Sequence, residues 1–158
     1  MTAKTGIGQD SHAFEEAPGK PLILAGIKLD HPMGLKGNSD ADVVLHSITN
    51  AVSSITGNNI LGSVADQLCQ EGETDSSNFL KLALDDLGDW RISHIAIAIE
   101  CLKPKISPQI DSMKKSIAKL CHINKTDVGI TATTGEGLTA FGKGEGIQAI
   151  TIVTVNKT

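Results

Sequence analysis

The sequence predicts an α/β (α+β) fold: a single domain over residues 1–158, with a mixed sheet of four to five strands packed by helices. Three observations predict it. Runs of β-forming residues alternate along the chain with segments whose apolar residues recur at helical spacing. A hydrophobic content of 40% over 158 residues is enough to bury a real core. No internal repeat and no linker divides the chain.

The elements follow in order. Residues 5–14 read as a short strand, and residues 21–29 as a second strand forming a hairpin with it. His31-Pro32-Met33-Gly34 is a turn with His31 exposed. Residues 38–50 form the mouth of a loop running into a helix that continues to about Ile55. Ser39 is placed as its N-cap, with Asp42 three residues on. Residues 63–74 are the least patterned stretch, either a mobile active-site loop or a short helix around Val64 to Leu68. Asp75-Ser76 caps a helix to Leu87, with Phe79, Leu82, Ala83 and Leu87 on one face and Gly88 closing it. Residues 92–101 form an Ile-rich strand, and Leu102 to Lys105 a basic loop. Ser107-Pro108 opens a helix, since proline suits the first helical position. Residues 127–133 and 147–155 are the last strands, separated by a glycine-rich stretch over 134–146.

Composition excludes several function classes. A formal net charge of −4 argues against a nucleic-acid partner, and the 3% of aromatic residues, with no Tyr, leaves little for base stacking. No segment is apolar over the length of a bilayer, so no membrane role is expected, and no leader is read where strand-like sequence begins by Gly6. Cys69, Cys101 and Cys121 are odd in number and lack a C-x-x-C spacing, which suggests reduced thiols in the cytoplasm.

The chemistry-bearing residues fall in two groups. In an extended strand alternate side chains point the same way, so Asp10 and His12 project together. His46 and Asn50 lie one helical turn apart, so His46 can face a site while Asn50 steadies it from behind. Asp10, His12 and His46 then make three ligands, the number a catalytic zinc takes from protein. In the second group, Thr133 and Thr134 offer hydroxyls at a strand end. Glycines beside them free backbone N–H groups for phosphate, and Glu136 could hold a hard cation. Lys103 and Lys105 could meet a phosphate or a base carbonyl.

Gly8-x-Asp10-x-His12-x-Phe14, Ser39-Asp-Ala-Asp-Val-x-x-His46, Pro104-Lys105, Ala132-Thr-Thr-x-Glu136 and Gly142-x-Gly-Glu-Gly146 together resemble the 2-C-methyl-D-erythritol 2,4-cyclodiphosphate synthases, in order and spacing across essentially the whole chain. The resemblance implies a homotrimer with active sites between neighbouring subunits. It implies a phosphorus–oxygen lyase of the non-mevalonate isoprenoid pathway. The substrate is 4-diphosphocytidyl-2-C-methyl-D-erythritol 2-phosphate; the products are the cyclic diphosphate and CMP. Zn²⁺ would sit on Asp10, His12 and His46, and Mg²⁺ or Mn²⁺ on Glu136.

Further substrate contacts implied by the resemblance are Asn38 and Ser39 near the zinc, and Ile60, Leu61 and Gly62 on the sugar side. Cys101, Lys103, Pro104 and Lys105 would frame the cytosine, and Thr133, Thr134, Gly135, Glu136 and Lys143 the phosphates. Asn38 and Thr134 stand at positions the family uses in catalysis. The chain also departs from the family's pattern. Asn38 replaces a His and cannot titrate, and Asn50 replaces an Asp behind the helical His. Asn59-Ile60-Leu61-Gly62 replaces Gly-Asp-Ile-Gly, the Phe-Pro-Asp segment after it is missing, and Lys143 replaces an Arg. These changes leave an alternative, a trimeric zinc-containing protein that binds a nucleotide or isoprenoid diphosphate with weak or no turnover.

Overall fold

A computed structural model describes residues 1–157. Its centre is a four-stranded sheet in the order β1-β6-β4-β5, formed by β1 (Thr2–Ala13), β4 (Arg91–Glu100), β5 (Val128–Thr133) and β6 (Gly146–Lys157). β6 runs antiparallel to both β1 and β4, and β4 runs parallel to β5. The sheet is therefore mixed, with four strands. β2 (Leu22–Leu24) and β3 (Ile27–Leu29) make a separate two-stranded ribbon. The expected hairpin between the first two strands does not form. β1 instead pairs along its whole length with β6, Thr2 opposite Lys157 through Ala13 opposite Gly146. A three-residue strand offers β1 far fewer ladder bonds than twelve-residue β6 does.

The β2–β3 turn is Ala25-Gly26, both at positive φ (55° and 75°), the conformation of a tight two-residue hairpin. An Asp42 carboxylate oxygen accepts the N–H of each: Oδ1 from Ala25 at 2.9 Å and Oδ2 from Gly26 at 2.7 Å. Asp42 is also the N-cap of α1 (Val43–Thr56), accepting from the N–H groups of Val44 and Leu45. The expected cap, Ser39, lies four residues ahead of the helix. Its hydroxyl accepts from Ala41 N in a local turn, and Ala41 at φ 55° keeps the chain from entering the helix there. Ser47, buried in α1, meets Thr151 of β6 through their hydroxyls at 2.6 Å.

α2 (Ser63–Gln70) occupies the weakly patterned stretch, α3 (Ser76–Asp85) is capped by Asp75, and α4 (Ile110–Cys121) follows a 3₁₀ turn at Ser107–Gln109. One sheet face carries the core: Val153, Ile95 and Val128 in one row, Ala149 and Ile99 in another, packed under α1 with Leu45, Ile48 and Val52. The opposite face is bare. Its rows include Ile7, Ile152 and Ala96, then Gln9, Ile150 and Ala98, and Ile7 is 63% exposed. Among the described residues no helix is long and apolar enough to cross a membrane.

Candidate active site

β1 aims Asp10 and His12 toward the helix side of the sheet, and α1 brings His46 to meet them. The close approach depends on two glycines in β1. A Cβ at Gly8 would fall 2.1 Å from Ser47 O, and one at Gly6 would fall 2.2 Å from Ala51 O. Only a strand lacking those carbons lets the α1 backbone lie so near. Asp10 Oδ2 then stands 3.2 Å from His12 Nε2 and 3.0 Å from His46 Nδ1. The hydrogen bond that His12 donates to the Asp10 carboxylate raises the His12 pKa above the ordinary imidazole value. Burial pushes the Asp10 carboxyl up, but the hydrogen bonds and charges of His12 and His46 outweigh it and hold it below its ordinary value.

The donor atoms of Asp10, His12 and His46 all lie within 4.8 Å of one another. Two imidazole nitrogens and one carboxylate oxygen, converging with no thiol among them, suit Zn²⁺ with a coordination position left open. The donor set therefore fits the metal. These residues line a cavity of about 330 Å³, together with Asn38, Ser39 and Leu61. Gly37, Asn50, Ala65, Asp66, Cys69 and Phe79 complete the wall, and sequence reasoning singled out none of them as cavity lining. Their signal is faint, because α2 carries little apolar pattern and Phe79 reads as ordinary core. Ile60 is buried in the core, and Gly62 is the N-cap residue of α2.

Asn50 does not stand behind His46. Its Nδ2 donates to the backbone oxygen of Gln9 at 3.1 Å, bracing α1 against β1. The far nitrogen of His46, Nε2, meets Ser76 Oγ at 2.7 Å, and Ser76 Oγ donates to Asp40 Oδ1. Ser76 opens α3 and Asp40 precedes α1, so neither shares a helical face with His46; the spacing of His46 gave no sign of them.

The second group gathers elsewhere. Thr133 ends β5, and Thr134 leads into Gly135, Glu136 and Gly137, all at positive φ (80°, 53° and 72°). Cys101 N donates to Thr133 O and Leu102 N to Phe141 O, so the basic loop, the two threonines and the glycine-rich stretch sit side by side. Lys103, Lys105, Glu136 and Lys143 are exposed there, and Pro104 is half-buried. Burial pushes the Cys101 thiol up to about 11, and it donates to Lys103 O, so it serves the loop rather than as a nucleophile.

The two groups do not meet within one chain. Thr133 pairs with Glu100, Glu100 with Gln148, and Gln148 with Ser11. Three strand spacings of about 4.8 Å, roughly 14 Å, separate the edges. The faces differ too, since Thr133 lies in the row of the bare face while Asp10 lies in the row of buried Ala149 and Ile99.

With this geometry the chain can be compared with known proteins. A model of the YgbB family matches residues 3–156. The chain belongs to that family. It is 49% identical over 156 residues to the 2-C-methyl-D-erythritol 2,4-cyclodiphosphate synthase of Chlamydia trachomatis serovar L2b, covering 96% of this chain and 87% of the relative. The bifunctional IspDF from Campylobacter jejuni has the same fold at a TM-score of 0.90 and 29% identity; the match covers 99% of this chain but spans only 43% of that longer one. A solved 2C-methyl-D-erythritol-2,4-cyclodiphosphate synthase in its CDP-bound form aligns at a TM-score of 0.82 and 27% identity, over 97% of this chain and all of that one. The family's α+β fold, with its mixed four-stranded sheet, is the fold described here.

Proposed function

We propose that this chain converts 4-diphosphocytidyl-2-C-methyl-D-erythritol 2-phosphate to 2-C-methyl-D-erythritol 2,4-cyclodiphosphate and CMP, as a phosphorus–oxygen lyase of the non-mevalonate isoprenoid pathway. The observation that carries the reading is the convergence of Asp10, His12 and His46 within 4.8 Å in a chain 49% identical to a protein of that name. The CDP-bound relative supports a cytidine-diphosphate ligand. Three free cysteines suit the reducing cytoplasm, where we place the reaction.

The reaction needs no nucleophile from the protein. An oxygen of the substrate's 2-phosphate attacks the β-phosphorus, the bond from that phosphorus to the oxygen bridging to the α-phosphate breaks, and CMP leaves with its electron pair. The chain's task is to fold the substrate so that these atoms meet. Orientation of this kind is worth up to roughly 7–11 kcal/mol. Asp10, His12 and His46 would hold Zn²⁺, and Glu136 would hold Mg²⁺ or Mn²⁺. Such ions supply neutralisation of phosphate charge, which a chain of net charge −4 otherwise lacks. The Asn38 amide, in the wall of the cavity, donates to a phosphate oxygen, as does Thr134 from the other group, while Ser39 touches substrate beside the zinc ligands. The loop from Cys101 to Lys105 receives the cytosine, Gly135 and Lys143 the phosphates, and Leu61 with its neighbours the sugar.

The same geometry supports a site shared between chains. One chain holds the two groups on opposite edges and opposite faces of its sheet, so a complete site needs the edge of a neighbour. The bare face with Ile7, Ile150 and Ile152 supplies an apolar surface for that contact. We therefore infer a site shared between neighbouring chains, in the homotrimer that the family resemblance implies.

The test is CMP release from the named substrate with Zn²⁺ and Mg²⁺, with the second product identified by mass. Cyclic diphosphate is the expected product, and His46→Ala should abolish it while leaving a folded assembly. Absence of CMP under every metal condition would overturn the assignment and favour a protein that binds without turnover.

A further inference from the structure

We infer that Ser76 and Asp40 are positioning residues for His46: their hydrogen-bond chain holds the proton of the imidazole on Nε2 and turns the Nδ1 lone pair toward Asp10 and His12. This rests on the reading of Asp10, His12 and His46 as a metal centre.

The hydrogens available along this chain of bonds fix its direction. Ser76 Oγ carries a single hydrogen and has two neighbours in reach, Asp40 Oδ1 and His46 Nε2 at 2.7 Å. A carboxylate can only accept, so the hydroxyl hydrogen goes to Asp40. The serine oxygen is then left as an acceptor, and Nε2 must donate to it. In the neutral imidazole that a metal requires, Nδ1 is consequently bare, and Nδ1 is the atom 3.0 Å from Asp10 Oδ2.

Asp40 is itself fixed. Its Oδ2 accepts from Ser76 N at 3.1 Å, its Oδ1 also from Asp42 N at 3.1 Å, and its own N–H donates to Thr74 O at 2.9 Å. The carboxylate thus ties the start of α3 to the approach to α1 and cannot swing away without breaking three bonds. Water offers no substitute, because Ser76 is fully buried and His46 is 7% exposed. Phe79, with its ring centroid 6.2 Å from that of His46, closes another side. Partners of this kind fix the tautomer and orientation of a ligating histidine, and their loss costs about 10- to 100-fold in metal affinity.

The experiment titrates Zn²⁺ into the metal-stripped full chain against a chromophoric chelator, for the parent and for Ser76→Ala, Asp40→Asn and Asn58→Ala. Ser76→Ala should bind zinc about 10- to 100-fold more weakly. Asp40→Asn should shift affinity in the same direction, and it decides the question should Ser76→Ala fail to fold. Asn58→Ala, which loses only an exposed bond to Asp86 and lies outside the cavity, should leave zinc affinity at the parental value. Ring ¹⁵N NMR of the zinc-loaded chain supplies a readout that a merely structural role leaves unmoved: a protected Nε2–H of His46 in the parent, lost in Ser76→Ala. Parent-like zinc affinity in both variants, or a protonated Nδ1 in the parent, overturns the inference while leaving the metal centre standing. A parent chain that takes up no zinc overturns the metal reading and the inference with it.

Discussion

Asp42 shows how much one residue can be asked to do. It is fully buried, caps α1 and holds the Ala25-Gly26 turn, with four backbone N–H groups on one carboxylate. Burial pushes its pKa up to about 6, against the pull of those donors. Between the unfolded value of 3.8 and about 6 the folded chain therefore holds a proton that the unfolded chain has released. Asp42 contributes stability that is fully present below the unfolded value and is lost as pH rises through about 6, at up to about 1.4 kcal/mol per pH unit. In Asp42→Asn that titration is gone. The stability difference between parent and variant, measured by denaturant at several pH values, should shrink as pH rises from about 4 to about 6. A difference constant across the window would remove Asp42 as its source. At this scale the sequence was readable where chemistry sits on a regular spacing, as for Asp10 and His12 on one strand. It was unreadable where the partner comes from another element, as Ser76 does for His46.

The contact between β1 and α1 sets the metal-ligating geometry at the next scale. Gly8 faces backbone atoms of α1, with Ser47 O at 2.1 Å and Ala51 N at 2.3 Å from where a Cβ would stand. Backbone atoms within a helix cannot step aside singly, so Gly8→Ala must push the whole helix off the strand. Overpacking of this sort costs about 1–3 kcal/mol. Thermal melting should fall by on the order of 3–10 °C. Zinc affinity should weaken in parallel, since His46 recedes from Asp10. Melting within a degree of the parent would refute the packing account. Element identity was largely legible from periodicity, as the Ile-rich β4 and the capped α3 show. Pairing was not. The Ala25-Gly26 turn lacks the usual Asn or Asp, and its φ values are stabilised by Asp42 from afar, so the short ribbon read as one long strand.

For the molecule as a whole, the separation of Thr133 and Glu136 from Asp10 and His12 makes a prediction that needs no structure of the assembly. His46→Ala and Glu136→Ala chains should each be inactive alone. Mixed at equal amounts and allowed to exchange subunits, they should recover about one quarter of parental turnover, because a site needs an intact edge from each kind of neighbour. No recovery after verified exchange would mean that both groups serve one chain's own site. The sequence motifs announced both groups but could not say that they lie apart, because strand order is a property of pairing and not of spacing.

Glu136 stands at φ 53° between Gly135 and Gly137, which share its left-handed backbone. A glutamate codon becomes a glycine codon by a single base change, and glycine would sit in that conformation without penalty. Local energetics thus favour glycine at this position, which would give three glycines in a row. The carboxylate of Glu136 is therefore held against the preference of its own backbone.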